Sequence, residues 1–128
     1  MKQKEYDTTA LAFLGDAVYE VYVRQRVMAS GQRGADRLHR MAVKYVKAGS
    51  QAKAIKTLYD DLPSDEQTLV RRARNKKSST KAKNADPVTY KWATAFEAFI
   101  GHLYTTGQKG RMEEIIDRAM AIVDGEVE

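Results

Sequence analysis

Two carboxylates occupy positions inside largely apolar stretches of the chain. Asp16 directly follows a glycine in "ALAFLGDAVYEVYV", and Glu97 lies in "WATAFEAFIGHLY". Burying a lone carboxylate is costly unless the group is paired, hydrogen-bonded or metal-bound. If the two groups converge, they are suited to a divalent cation such as Mg²⁺, which can activate a water to attack a phosphodiester. Alternatively, each carboxylate pairs with a nearby cation or points to water.

The elements that carry these carboxylates share a second feature, a glycine well inside a predicted helix. Gly15 precedes Asp16, and Gly101 lies one turn after Glu97. A glycine in a helix interior costs about 1 kcal/mol relative to alanine, so a compensating role is expected. We therefore predict that the two helices cross closely at these glycines. Glu20 and Thr94 are candidates for hydrogen bonding around the ion, with a plain surface role as the alternative for Glu20.

The net positive charge of the chain is carried by one segment, "RRARNKKSSTKAK" (71–83), which has seven basic residues and no acidic one. The net charge is +5, yet outside this segment the basic residues are outnumbered by acidic ones. Such a patch attracts polyanions, because bound phosphates release counterions. The alternative is a solvated basic loop, at about 74–86. The residues expected to bind a nucleic-acid backbone are Arg72, Arg74, Asn75, Lys76, Lys77, Lys81 and Lys83.

Composition and periodicity indicate a single compact all-α domain of about six helices over residues 1–128. The first is expected at 9–30 with Thr8 or Thr9 as N-cap, and the second at 36–48. Gly49 and Ser50 are expected to break the chain and cap a third, and Ser64 with Gln67 to form the capping box of a fourth. The fifth is predicted from Asp86 and Pro87 to Thr105 or Thr106, and the last over 111–124.

The composition also limits the compartment and the kinds of site. The chain has no cysteine, which excludes disulfides and thiolate metal sites. The N-terminal residues "MKQKEYDTT" lack the apolar core of a signal peptide, and no apolar run approaches the ~20 residues that span a bilayer. We therefore expect a soluble cytoplasmic protein without a membrane partner.

Two of these stretches also carry a family resemblance. "FLGDAVYE" resembles the signature helix of the ribonuclease III family, "FEAFIGHLY" its second conserved helix, and the basic segment the loop of the Mini-III branch, which lacks a double-stranded RNA-binding domain. The resemblance implies a Mg²⁺-dependent homodimer that cleaves double-stranded RNA, leaving 5′ phosphates, in the maturation of large-subunit ribosomal RNA precursors. It makes Asp16 and Glu97 the catalytic and metal-binding residues. The dimer interface is expected near Phe13, Leu14 and Val18, with burial in the core of the monomer as the alternative for these residues.

The chain departs from the family pattern at two positions. Ordinary members have a glutamate four residues before the aspartate and an aspartate three before the glutamate, where this chain has Ala12 and Thr94. We interpret this as a leaner metal site with more water ligands. The rival hypotheses are a non-catalytic double-stranded RNA-binding module of the same fold and a helical DNA-binding regulator. The presence of both Asp16 and Glu97 favours the enzyme, because a decayed site has little reason to retain them.

Overall fold

The computed structural model describes residues 5–77 and 86–126, which form six α-helices and no strand. This confirms the all-α prediction. None of the helices in these ranges is long and apolar enough to cross a membrane. The helices are α1 (Thr8–Ala29), α2 (Ala35–Val46), α3 (Ala48–Tyr59), α4 (Ser64–Asn75), α5 (Pro87–Thr105) and α6 (Lys109–Val123).

Helix α5 runs through the centre of the molecule and is surrounded by α1, α3, α4 and α6. Its apolar side chains Phe96, Phe99 and Ile100 are fully buried. Tyr19 of α1 packs edge-to-face on Phe96, with ring centroids 4.9 Å apart. A helix that is apolar on most of its circumference is expected in the interior of a bundle, and this burial fixes α5 as the element against which the others are placed.

Helices α1 and α5 cross in direct backbone contact at the two interior glycines. A Cβ atom added to Gly15 would overlap the backbone carbonyl of Glu97 and lie 2.9 Å from the amide nitrogen of Gly101. A Cβ atom added to Gly101 would overlap the backbone carbonyl of Leu11. Only glycine permits this approach, which confirms the predicted close crossing. The crossing brings the part of α1 that carries Asp16 against the part of α5 that carries Glu97.

Several helix ends differ from their sequence-based predictions. The N-cap of α1 is Asp7 rather than Thr8 or Thr9, because its Oδ1 accepts a hydrogen bond of 2.8 Å from the backbone N–H of Ala10. Gly49 and Ser50 lie inside α3 and do not break the chain. The preceding helix ends at Val46 instead, where Lys47 takes an extended conformation between the two helices.

The predicted capping box at the start of α4 is wrong, whereas the predicted cap of α5 is confirmed. Ser64 is the first helical residue of α4 and follows Pro63, and no side chain caps the helix. The Nε2 of Gln67 instead donates to the backbone carbonyl of Tyr59 at 2.8 Å, which ties α4 to the end of α3. Asp86 caps α5 by accepting from the backbone N–H of Thr89 at 2.9 Å, with Pro87 at the first turn.

Candidate active site

A cleft of about 260 Å³ opens between α1, the end of α4 and the first half of α5. Asp16 and Glu97 both line it, as the glycine crossing requires. Asp16 is exposed on α1, whereas Glu97 is partly buried on α5. The structure therefore brings together the two carboxylates that the sequence identifies.

The electrostatics of the two carboxylates are those of a like-charge pair. Burial, and then the negative charge of Asp16, raise the pKa of Glu97 to about 9. Ion pairs within the described ranges involve neither carboxylate. This geometry does not support the alternative in which both groups are neutralised by nearby cations. At neutral pH the pair, without a cation, holds a proton.

The donor set fits a hard divalent cation that keeps most of its water. No group of three His, Cys, Asp or Glu residues in the described part of the chain is arranged to hold a metal. Mg²⁺, however, is commonly bound through only one or two carboxylates, with waters completing its octahedral shell. A buried amide beside the pair, Nε2 of Gln51, has no hydrogen-bond partner in the same ranges. Repulsion between Asp16 and Glu97 would be relieved by a cation, and their oxygens are the ligand type that Mg²⁺ requires.

The two positions at which the chain departs from the family pattern also face this cleft. Ala12 and Thr94 both line it, on α1 and α5. The methyl group of Ala12 provides no ligand, and the Thr94 hydroxyl can donate or accept a hydrogen bond without adding charge. Neither residue adds a carboxylate to Asp16 and Glu97 in the cleft. Thr94 is thus placed where it can contact a water or a phosphate oxygen.

Glu20 lies apart from this cleft. Its Oε1 accepts a hydrogen bond of 2.9 Å from Nε of Arg24 in an i,i+4 ion pair. Glu20 and Arg24 line a separate groove between α1 and α2, together with the exposed Met28. The geometry therefore favours the surface role for Glu20.

Three lysines border the cleft. Lys76 and Lys77 follow the last turn of α4, and Lys91 lies on α5. The Nζ of Lys76 donates to Oγ1 of Thr9 at 3.3 Å, which holds it beside α1. Sequence reasoning missed Lys91 because it lies outside the basic segment. The sequence did contain a sign of its position: Lys91, Thr94 and Glu97 are spaced by three residues, and residues three apart lie on the same face of a helix.

The other predicted RNA-binding residues are divided among different surfaces. The guanidinium of Arg74 stacks on Trp92, 4.8 Å from the ring centroid, and its Nε donates to Oδ1 of Asn75 at 3.0 Å. Arg72 lines a different groove, beside His102. Lys81 and Lys83 lie outside the described residues. Of the predicted set, the structure therefore places Lys76 and Lys77 at the carboxylates, while Arg74 also has a packing role.

Comparison with known proteins gives a consistent family. The ribonuclease III domain model matches residues 9–108. The chain is 49% identical over 116 residues to the Mini-ribonuclease 3 of Brevibacillus brevis, covering 91% of this chain and 87% of that one. It is 44% identical to the Mini-ribonuclease 3 of Enterococcus faecalis, covering 89% and 88%. A crystal structure of a protein from Fusobacterium nucleatum superposes with a TM-score of 0.83 at 29% identity, covering 92% and 91%.

The fold, the carboxylate cleft and these matches define an endoribonuclease. The chain belongs to the ribonuclease III family, in its Mini-ribonuclease 3 branch. Members of this family act on double-stranded RNA and are generally metal-dependent. The alternatives of a non-catalytic binding module and of a DNA-binding regulator are therefore set aside.

Proposed function

We propose that this endoribonuclease cleaves double-stranded RNA in a Mg²⁺-dependent reaction at the cleft between α1, α4 and α5. The observation that carries the proposal is the convergence of Asp16 and Glu97, neither of which has an ion pair within the described residues, in a cleft bordered by lysines. The products are 5′ phosphates and 3′ hydroxyls. The family resemblance supports a cytoplasmic role in the maturation of large-subunit ribosomal RNA precursors, with residues 1–128 as a single catalytic domain. Incubation of long double-stranded RNA with the protein, with and without Mg²⁺, tests the proposal.

In this proposal the acidic side chains bind the cation and the basic side chains bind the RNA. Asp16 and Glu97 hold the cation through their carboxylate oxygens. A bound Mg²⁺ supplies charge stabilisation at the phosphoryl group and activates water. Lys76, Lys77 and Lys91, which border the cleft, would bind phosphates of the RNA backbone and orient the scissile bond.

The lysines at the end of α4 should bind the RNA backbone without taking part in bond cleavage. Replacing Lys76 and Lys77 with alanine should weaken binding and lower the slope of log affinity against log salt by about 0.9 for each lost phosphate contact. Binding measured over a range of salt concentrations tests this prediction. The melting temperature should hardly change, because exposed charges contribute little to stability.

A matched control removes the same charge elsewhere on the surface. Arg37 and Lys53 are exposed and do not line the cleft. Their double alanine variant should bind RNA with nearly the salt dependence of the wild type. Equal slopes for the two double variants would show that Lys76 and Lys77 act only through net charge.

We also propose that the protein is a homodimer that associates through the outward face of α1. Phe13 is 83% exposed and Val21 53% exposed. The intervening Leu14, Ala17 and Val18 are exposed or partly exposed, so these residues form an apolar stripe at helical spacing. Phe13 also borders the cleft, and a two-fold pair of clefts would allow cleavage of both strands of one duplex.

A charged side chain in place of Phe13, the most exposed residue of this stripe, should prevent association. Phe13→Glu should sediment as a 14.4 kDa monomer at micromolar concentration, where the wild type is a dimer. Val88 is a useful control, because it is also exposed (59%) but lies on α5, outside the stripe. Val88→Glu should remain dimeric. A wild type that sediments only as a monomer while fully active would contradict the proposed assembly.

A further inference from the structure

Gln51 is a buried polar residue that the mechanism above leaves without a role. It lies in the first turn of α3, is only 2% exposed and does not line the cleft. Its neighbours along the helix, Ala52, Ala54 and Ile55, are buried and apolar. Within the described ranges, its Nε2 is the one buried side-chain nitrogen or oxygen without a hydrogen-bond partner. An unsatisfied buried amide is destabilising, so its presence calls for a reason.

The candidate for its missing partner is the Glu97 carboxylate, because Glu97 is a polar neighbour of the Gln51 side chain on the adjoining helix α5. An ionised carboxylate only accepts hydrogen bonds, so the amide NH₂ and not the amide oxygen is the complementary group. A metal-bound Glu97 is ionised. The unsatisfied donor therefore becomes useful in the state in which Glu97 holds a cation.

We propose that Gln51 is a positioning residue for Glu97: its side-chain amide donates to one carboxylate oxygen and leaves the other directed at Asp16 and the cation. The inference rests on the proposed function, because it requires Glu97 to bind Mg²⁺. Residues that hydrogen-bond to a metal ligand fix its orientation, and their loss usually lowers metal affinity or activity. Gln51 holds Glu97 from the side of α3, away from the cleft and from the RNA.

The alternative is that Gln51 only fills space beneath α5. The two roles predict opposite combinations of stability and metal affinity. Methionine has nearly the volume of glutamine and no polar group, so Gln51→Met removes the unsatisfied amide while preserving packing. If Gln51 is a positioning residue, the variant should melt at or above the wild-type temperature without metal, yet bind Mg²⁺ about tenfold or more weakly.

The experiment measures thermal unfolding of the full chain without metal and over a Mg²⁺ titration, Mg²⁺ affinity by calorimetry, and cleavage of double-stranded RNA. Gln51→Leu is the second variant, in case methionine packs poorly. Ser50→Ala is the matched control, because Ser50 is the neighbouring buried polar residue (8% exposed) and should behave as wild type.

The outcomes separate this inference from the proposed function. Wild-type protein that neither binds Mg²⁺ nor cleaves would refute the proposed function itself. Wild-type protein that does both, with Gln51→Met and Gln51→Leu unchanged in Mg²⁺ affinity and cleavage, would overturn only the role of Gln51. Variants that lose melting temperature without metal and lose activity in proportion would assign Gln51 a packing role and overturn the inference as well.

Discussion

Asp16→Asn and Glu97→Gln should each lower the rate of double-stranded RNA cleavage by about 10³-fold or more while leaving RNA binding near the wild-type affinity. The amides keep the size of the carboxylates but lose the charge that a hard cation requires. A catalytic metal contributes several kcal/mol to the transition state, and each ~1.4 kcal/mol is tenfold in rate. Single-turnover cleavage and a filter-binding assay on the same preparations measure the two effects separately.

The same variants should differ from the wild type in how stability depends on pH. The pKa of Glu97 is raised in the folded protein from its usual 4.5 to about 9. Folded protein therefore binds more protons than unfolded protein in this range. The stability gained from this proton is fully present below about pH 4.5 and is lost as the pH rises through about 9. Glu97→Gln removes the titration, so without metal it should be more stable than the wild type at pH 8 to 9.

Thermal melts over pH, with and without Mg²⁺, check this prediction. Mg²⁺ should raise the melting temperature of the wild type and have little effect on either variant. Glu20→Gln is the control, because Glu20 lies outside the cleft and its loss should leave cleavage intact. Cleavage at the wild-type rate by Asp16→Asn would contradict the proposed role of Asp16 in binding the catalytic metal.

Gly15→Ala and Gly101→Ala should be among the most destabilising single substitutions in the chain, at about 3 kcal/mol or more each. The added Cβ atom would meet backbone carbonyls across the crossing of α1 and α5, which cannot move aside by a rotamer change. Relief requires the helices to separate, and this also separates Asp16 from Glu97. A fall in melting temperature of about 10 °C or more is expected, with loss of cleavage.

Gly110→Ala provides the control for glycine substitution as such. Gly110 is helical in α6, and a Cβ atom there would meet nothing within 4 Å. Alanine at this position should stabilise the protein by about 0.5–1 kcal/mol, through its higher helix propensity. Similar melting temperatures for Gly15→Ala and Gly110→Ala would show that the crossing is not a tight contact.

The helices and their crossing were predictable because they depend on local pattern. Apolar periodicity located all six helices, and glycines inside two of them pointed to a backbone contact. The errors occurred where tertiary contacts overrode local preference. Gly49 and Ser50 were predicted to interrupt the helical structure, but both lie within α3. The low helix propensity of glycine is a weak preference that tertiary packing can override. Gln67 found its partner in Tyr59 rather than in a capping box.

The convergence of Asp16 and Glu97 was predictable from the sequence, whereas the other residues that line the candidate site were less so. Asp16 and Glu97 are conspicuous because charge inside an apolar stretch is rare. Arg72 and Arg74 show what a count of charges misses. Residues two apart on a helix face different directions. In the structure Arg74 stacks on Trp92, whereas Arg72 lines a different groove. Gln51 carries no sequence signal of its own, because its proposed role depends on the packing of α3 against α5.

The contact of main-chain atoms at Gly15 has a consequence for engineering this enzyme. At the crossing, Gly15 of α1 lies against the backbone of α5, and Gly101 of α5 lies against the backbone of α1. No side chain of either glycine separates the two helices. The spacing of the two acids is therefore set in part by main-chain contact, which does not depend on side-chain identity elsewhere in the interior. Redesign for heat tolerance can therefore be directed at volume-conserving changes on α2 and α6, which lie outside this backbone contact, whereas a side chain introduced at Gly15 or Gly101 would disrupt the crossing itself.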